Sequence, residues 1–316
     1  MKYLALALCM VLVTLQQAFA EPTYRAFITN EYDGTLSILD TRSGKVETTV
    51  PVGQRPRGIG FSPDHSHVYV ALGEDNAIAV VDTRSLRIVK KLSAGSDPEN
   101  FAVHPNGHIY LSNEDANQAS VLDPVEGKVV AEIPVGIEPE GVGISPDGKL
   151  AMVTSESTHM VHVITIPGHQ VIANILVGSR PREVAFSADG KWVYVTSEIG
   201  GQVSKLDVST NQVHTAPVDV PNAKPKGVLL SRDQRTLYIS TGGGNAIAVV
   251  DADTLAPKTV IPVGKRVWGL ALSRDGTRLY ACNGLDGTVS VIDTTTNQVN
   301  ATITVGQRPW GVVIDD

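Results

Sequence analysis

Short apolar runs with two-residue alternation recur along the chain. Clear examples are VYVA at 68–71, IYLS at 109–112 and VYVT at 193–196. Each follows a turn signal such as SPDH, HPNG or SADG, in which Asp or Asn can bond to nearby backbone amides and Gly accepts a positive φ. Alternating β-branched and aromatic residues between such turns predict short β-strands.

One position in this pattern repeats with a nearly constant period. Proline or valine occupies it, at intervals of 42, 41, 42, 44, 42 and 42 residues: Pro56, Pro98, Pro139, Pro181, Pro225, Val267 and Pro309. We call it the proline position. A period in the low forties is typical of a four-stranded propeller blade. We label the strands of each unit A to D, with strand A starting at the proline position. The third strand of six units ends in aspartate: Asp40, Asp82, Asp123, Asp207, Asp251 and Asp293. In the remaining unit this position is Thr165.

The two ends of the chain complete one unit between them. Residues 309–316 supply only a strand A, whereas residues 24–55 supply strands B, C and D. The motif VGQRPRG at 52–58 returns as VGQRPWG at 305–311 for this reason. The predicted fold is therefore all-β, a seven-bladed β-propeller of four-stranded antiparallel blades. The ring is closed by a composite blade that shares N- and C-terminal strands, and closure limits edge-to-edge association.

The first twenty residues predict a secretory signal peptide. They combine Lys2, an apolar run and an A-x-A cleavage site at Ala18–Ala20. We expect removal of residues 1–20 and a single propeller domain over 21–316. Cys282 is then the only cysteine, which excludes an internal disulfide. The formal charge of −7 and the lack of a basic run argue against a nucleic-acid partner. No later segment predicts a membrane span.

Two recurring motifs carry a family resemblance. The units V-G-x-x-P-x-G-V-x-x-S-P-D-G and V-Y-V-T-S-E resemble the YVTN-type seven-bladed β-propeller family. The short exported form is most similar to the PQQ-dependent catabolism-associated β-propeller proteins. The resemblance implies a periplasmic location and a link to pyrroloquinoline quinone (PQQ)-dependent alcohol oxidation. It implies a quinoprotein dehydrogenase, a cytochrome or an exporter component as partner, and no defined reaction.

Charged residues flank the proline position on one face of the predicted ring. Because strands alternate in direction, the D–A and B–C loops meet at one mouth of the central channel, and such loops commonly carry function. The blades that start at Pro98 and Pro139 are acidic there, whereas the others are basic or aromatic. The sequence thus predicts a mouth with an acidic sector opposite a basic and aromatic arc.

Two further features define the candidate ligand site. Glycine lies two residues after the proline position except at Asn100 and Glu183, whose side chains we expect near the channel entrance. Trp268 and Trp310 on adjacent blades could stack a planar ring, and basic groups could hold carboxylates, which suits PQQ. The alternative is a solvated rim with tryptophans covering the ring closure. The candidate binding residues are Arg57, Glu99, Asn100, Glu140, Arg182, Glu183, Lys226, Trp268, Arg308 and Trp310.

Known catalytic signatures are missing from the sequence. It contains no G-x-S-x-G elbow, P-loop or haem-attachment motif. His159 and His162 lack an evident third ligand, so we predict neither a metal site nor a catalytic residue. The favoured interpretation is an exported non-catalytic binding or scaffold propeller. The alternative is a periplasmic propeller enzyme, lactonase-like or a dehydrogenase subunit, with Glu183 and Asn100 at the same mouth.

Overall fold

A computed structural model describes residues 21–316, which form 28 strands in seven four-stranded antiparallel sheets. The predicted signal peptide lies outside these residues. Over 21–316, no helix is long and apolar enough to cross a membrane. The seven-bladed architecture predicted from the repeat is confirmed.

Each blade has the strand order A to D from the channel outwards, and blades 1 to 7 are numbered from Pro56. The A strands are β4 (Pro56–Phe61), β8 (Pro98–Val103), β12 (Pro139–Ile144), β16 (Pro181–Phe186), β20 (Pro225–Leu230), β24 (Val267–Leu272) and β28 (Pro309–Asp315). The B strands are β5 (His67–Leu72), β9 (Ile109–Asn113), β13 (Leu150–Ser155), β17 (Trp192–Ser197), β21 (Thr236–Thr241), β25 (Arg278–Asn283) and β1 (Arg25–Asn30). The C strands are β6 (Ala77–Asp82), β10 (Gln118–Asp123), β14 (Met160–Thr165), β18 (Gln202–Asp207), β22 (Ala246–Asp251), β26 (Thr288–Asp293) and β2 (Thr35–Asp40). The D strands are β7 (Ile88–Ser93), β11 (Lys128–Pro134), β15 (Val171–Leu176), β19 (Val213–Pro217), β23 (Pro257–Pro262), β27 (Gln298–Thr304) and β3 (Lys45–Pro51).

Blade 7 joins the two ends of the described chain. Strand β28 pairs antiparallel with β1, and Ile28 lies opposite Val312. The amide and hydroxyl of Thr23 both donate to Asp315 Oδ2 at 2.7 Å. The composite blade predicted from the split repeat is confirmed.

The core lies between successive blades, not within one of them. The B and C strands are buried on both faces, whereas the outer D strands are largely exposed. Between blades 4 and 5, Tyr194 packs with Val228 and Leu237, and its hydroxyl donates to Ala252 O at 2.8 Å. This packing makes the ring a rigid scaffold for the loops at its two mouths.

The aspartates at the ends of the C strands stabilise the C–D turns. Asp40 Oδ1 accepts the amide protons of Arg42 and Ser43 at 3.1 and 2.6 Å. Such bonds favour the carboxylate form, and they lower the pKa of Asp40 to about 2. The same arrangement recurs at Asp251. The repeated Asp is therefore a turn residue and does not contribute to the mouth.

Candidate functional site

A β-bulge interrupts every A strand directly after the proline position. In blade 1, Arg57 and Gly58 together oppose the single residue Ala71, and the same register shift occurs in all seven blades. A bulge bends its strand and redirects a side chain. The first bulge residues converge on the channel and form what we call the throat ring: Arg57, Glu99, Glu140, Arg182, Lys226, Trp268 and Trp310.

Hydroxyl side chains on the B strands hold these bulges in place. Thr154 Oγ1 accepts the amide proton of Gly141 in its own blade at 2.8 Å and donates to Arg182 O in the next blade at 3.1 Å. The same two bonds are made by Thr29, Ser112, Thr196 and Ser240. Blades 1 and 6 carry Ala71 and Cys282 there. We did not predict this function, although a Ser or Thr two residues after the aromatic position of strand B was its signal.

The second bulge residue lies against the backbone of the next blade. A Cβ added at Gly58 would come within 2.9 Å of Asn100 Cα, and one at Gly269 within 3.0 Å of Gly311 Cα. The close approach predicted for this glycine is therefore confirmed. Asn100, one of the two exceptions, points its Nδ2 at the carboxylate of Glu183, the other, at 3.3 and 3.4 Å.

The acidic residues of blade 2 are neutralised by arginines of blade 1. Arg55 binds Asp97 and Glu99, each at 2.5 Å, and Arg57 binds Glu99 as well as Glu31. Glu99 is fully buried. A buried carboxylate must be paired, and here two guanidinium groups pair with it.

Arg55 also contacts the one cluster of carboxylates within residues 21–316 whose oxygens lie close enough together to bind a metal ion. Oxygens of Asp97, Glu99 and Glu114 lie within 4.8 Å of one another. The Arg55 guanidinium contacts all three residues, with Glu114 at 3.6 Å. A divalent ion would have to displace that positive charge.

Blades 3 and 4 repeat this pairing around Arg182. Its guanidinium contacts Glu140, at 2.9 Å, and Glu156, whose other oxygen accepts from Arg180 at 2.7 Å. Arg182 also lies 3.6 Å from Glu198. The predicted acidic sector is therefore largely neutralised, because Asp97, Glu99, Glu140 and Glu156 each pair with an adjacent arginine. The basic half of the prediction survives on other blades.

Three cations on blades 5 to 7 are far less neutralised, and we call them the basic arc. Lys224 is exposed and makes no ion pair within residues 21–316, and Arg308 lies over the Tyr32 ring at 5.8 Å. Arg266 reaches one carboxylate at 3.9 Å and lies 5.5 Å from the Trp268 ring centroid. Positive charge at the mouth is therefore concentrated here.

A repeated loop geometry places these cations at the rim. The carbonyl before the proline position accepts an amide proton from the first residue of the B–C loop in every blade, as in Gly242 N–H to Lys224 O at 3.0 Å. In all seven blades the residue before the proline position has a left-handed φ of 45–56° and a charged side chain: Arg55, Asp97, Glu138, Arg180, Lys224, Arg266 and Arg308. Left-handed non-glycine residues cost about 1–2 kcal/mol each, and this conformation places a charged side chain at the mouth in every blade.

The throat ring separates two chambers of the channel. The mouth chamber, of about 180 Å³, is lined by Trp268, by charged residues that precede the proline position and by charged residues of the throat ring. The inner chamber, of about 260 Å³, is lined by apolar side chains together with Asn100, Glu183 and Lys226. Lys226 and Trp310 line both. Asn100 and Glu183, predicted near the entrance, line the inner chamber instead.

The two tryptophans do not form a stacking platform at the mouth. Trp310 is only 5% exposed, and the Lys226 ammonium lies 3.8 Å from its ring centroid. Trp268 remains partly exposed. A planar ligand entering from the mouth can therefore reach Trp268 but not the face of Trp310 covered by Lys226.

Both nitrogens of His162 in the H-x-x-H pair are engaged by protein groups. Nε2 accepts the amide proton of Gly136 at 3.0 Å, which leaves Nδ1 to donate to Asn174 Oδ1 at 2.6 Å. His159 Nδ1 lies 2.8 Å from the Glu156 carbonyl. The pair therefore supports loops and strands.

Replacing Glu156 by glutamine should flatten the pH dependence of stability. Burial raises the pKa of Glu156 to about 7, although Arg182 opposes the shift. The folded state thus binds this proton more tightly than the unfolded state, and the resulting stability is lost as the pH rises from about 4.5 to 7. One proton contributes a slope of at most about 1.4 kcal/mol per pH unit. Urea unfolding at several pH values measures it. An unchanged slope, equal to that of the exposed control Glu126→Gln, would contradict the assignment.

Comparison with known proteins agrees with this architecture. The family described as lactonase, 7-bladed beta-propeller, matches residues 141–308, and the YNCE-like beta-propeller family matches residues 89–187. No curated protein sequence matches the chain.

Solved structures share the fold at low sequence identity. Hydrazine synthase from Kuenenia stuttgartiensis is 23% identical with a TM-score of 0.80, over 90% of this chain and 99% of that one. A functionally unknown protein from Desulfotomaculum acetoxidans is 17% identical with a TM-score of 0.80, over 92% and 99% of the two chains. A putative 6-phosphogluconolactonase from Bacteroides fragilis is 18% identical with a TM-score of 0.77, over 93% and 99%. At these identities the structural similarity shows the fold only. The match to the lactonase family model, in contrast, spans more than half of the sequence. The chain belongs to the lactonase seven-bladed β-propeller family.

Proposed function

We propose that this protein is an exported, non-catalytic binding propeller that takes a small anionic ligand at its mouth. The observation that carries the proposal is the basic arc of Lys224, Arg266 and Arg308, which lacks close carboxylate partners beside the partly exposed Trp268. Charge-assisted hydrogen bonds from these groups would hold carboxylates, and the indole offers a face for a planar ring.

PQQ is the first ligand to test. It is planar and carries several carboxylates, and the sequence resemblance supports a periplasmic setting in PQQ-dependent alcohol oxidation. The mouth chamber, at about 180 Å³, is smaller than the 300 Å³ or more typical of a drug-sized pocket. Part of the ligand would therefore extend into the open mouth. A quinoprotein dehydrogenase, a cytochrome or an exporter component could contact it there, and we propose these as partners.

Lys224→Gly should weaken PQQ binding and at the same time stabilise the protein. Its φ of 45° suits glycine, so the change should raise the free energy of unfolding by about 1 kcal/mol. Loss of one charge-assisted bond should raise the dissociation constant about tenfold. Calorimetric titration and urea unfolding measure the two effects. Arg84→Ala removes the same charge at an exposed turn on the opposite face and should change neither.

The double variant Trp268→Ala/Arg308→Ala tests the arc more strongly. It removes the only aromatic face of the mouth chamber within residues 21–316 that is not buried, together with a rim cation. We expect no measurable PQQ binding. Wild-type affinity in this variant, or no binding by the wild type, would overturn the proposal.

A lactonase-like hydrolase is the second candidate, favoured by the family match over residues 141–308. Most channel carboxylates are held by guanidinium groups, so Glu183, with contacts no shorter than 3.3 Å to Asn100 and Lys226, is the available acid or base. Lactone hydrolysis that disappears in Glu183→Gln would favour this candidate over the binding propeller.

A further inference from the structure

The inner chamber combines apolar side chains with a small number of charged and amide side chains. Its apolar side chains include Phe101, Leu229 and Leu270. Among its fourteen lining residues, the only charged or amide side chains are Asn100, Glu183 and Lys226. Small-molecule sites commonly combine apolar side chains with a few precisely placed polar groups.

Lys226 supplies an ammonium group without a close acceptor. Its side chain is 4% exposed, and Nζ lies 3.6 Å from both Glu140 Oε1 and Glu183 Oε2. Its other contact is the Trp310 ring at 3.8 Å. A separation of 3.6 Å exceeds a hydrogen bond. An ammonium has three donors, and buried donors are normally satisfied. Within residues 21–316, this ammonium therefore has room for a ligand acceptor.

Glu183 is similarly under-coordinated. Its carboxylate accepts two long bonds from Asn100, at 3.3 and 3.4 Å, and it also interacts with the Val184 amide and with the Lys226 ammonium at 3.6 Å. None of the side-chain contacts is a short hydrogen bond, although a carboxylate can accept about four bonds. It occupies a bulge position at which five blades have glycine. Burial, partly offset by Lys226, raises the pKa of this carboxyl.

We propose that the inner chamber is a second binding site, for a small neutral molecule that carries a hydroxyl group. The hydroxyl accepts from Lys226 and donates to Glu183. One oxygen can lie about 2.8 Å from both atoms because they are 3.6 Å apart. The apolar remainder of the ligand packs against Phe101, Leu229 and Leu270.

Charge and volume restrict the ligand class. Lys226 and Glu183 balance each other, so a charged ligand would leave one of them opposed by a like charge in a buried site. At about 260 Å³, the chamber is smaller than a typical drug-sized pocket. This site shares Lys226 and Trp310 of the throat ring with the mouth chamber, but it uses none of Lys224, Arg266 and Arg308, which carry the proposed anion site.

Benzyl alcohol and toluene are the matched probes, since they differ by the hydroxyl group. Titration of the protein with each probe, monitored by protein NMR, should show that benzyl alcohol binds at least ten times more tightly than toluene. Crystals soaked with benzyl alcohol should show its oxygen between Lys226 and Glu183. Equal affinities, or only ordered water at Lys226, would overturn the proposal.

Two variants make the test specific. Lys226→Met keeps the side-chain length and should remove the preference for benzyl alcohol over toluene. Leu229→Trp fills the chamber without changing a charge, so the variant should bind neither probe. This variant tests the site independently if Lys226→Met fails to fold. Retained binding in Leu229→Trp would place the site elsewhere and overturn the proposal. Lys224→Gly should weaken PQQ binding while leaving the benzyl alcohol affinity unchanged, which separates this site from the mouth.

Discussion

Deleting residues 309–316 should abolish the folded ring. The deletion removes β28, which supplies the A strand of blade 7 and lies between β24 and β4 in the ring of A strands. It would leave β1 as a free edge and expose buried side chains such as Phe27 and Ile28. We expect loss of the cooperative unfolding transition and aggregation, measured by circular dichroism and light scattering.

A permuted chain provides the matched control. Placing residues 309–316 before residue 24 through a short turn makes blade 7 continuous, like the other six blades. This permutant contains the same residues and should recover a cooperative transition. If the deletion variant unfolds as cooperatively as the wild type, β28 is not required to close the ring.

Arg182→Met should lower the free energy of unfolding by about 3–5 kcal/mol. Arg182 is largely buried, with its side chain 11% exposed, and it contacts Glu140 and Glu156, which are 2–3% exposed. Removing the guanidinium leaves the Glu140 carboxylate without its closest partner in a buried site, whereas methionine retains most of the packing volume. Glu156, whose pKa burial already raises to about 7, can bind a proton instead. Urea or thermal unfolding measures the loss.

Further variants separate charge from packing. Adding Glu140→Gln and Glu156→Gln to Arg182→Met removes the uncompensated charges and should restore much of the stability. Lys191→Met removes an exposed cation, with a side chain 74% exposed, and should change stability by less than about 0.5 kcal/mol. A small effect of Arg182→Met, equal to that of Lys191→Met, would show that Glu140 is not charged in the folded state.

The blade architecture follows from local sequence signals. The proline period, the aspartates at the C–D turns and the split of blade 7 between residues 309–316 and 24–55 all reflect backbone requirements that each repeat meets alone. The glycine at the second bulge position was predicted for the same reason, since only the absence of a Cβ allows the next strand so close.

The throat was predicted less well because its contacts join different blades. Arg57 and Glu99 are 42 residues apart, and their pairing depends on the bulge that directs both side chains into the channel. Trp310 is buried because Lys226 reaches it from a blade two places away. The repeat period does not determine side-chain conformations or which side chains from different blades meet. The sequence therefore predicted the positions of these residues but not their partners.

The hydroxyl groups on the B strands have a consequence for how the ring fluctuates. Ala71 and Cys282 provide no such bond at the junctions between blades 1 and 2 and between blades 6 and 7. Ion pairs from Arg55 and Arg57 to Glu99 join blades 1 and 2, whereas at the mouth the junction between blades 6 and 7, next to Trp268 and Arg308, lacks such pairs among the described residues. Local opening is easiest where bonds between packed units are fewest. Amide hydrogen exchange at the mouth should therefore be fastest at this junction. A ligand that bridges Trp268 and Arg308 would slow that exchange. Hydrogen exchange would therefore detect binding of a ligand that the protein does not chemically convert.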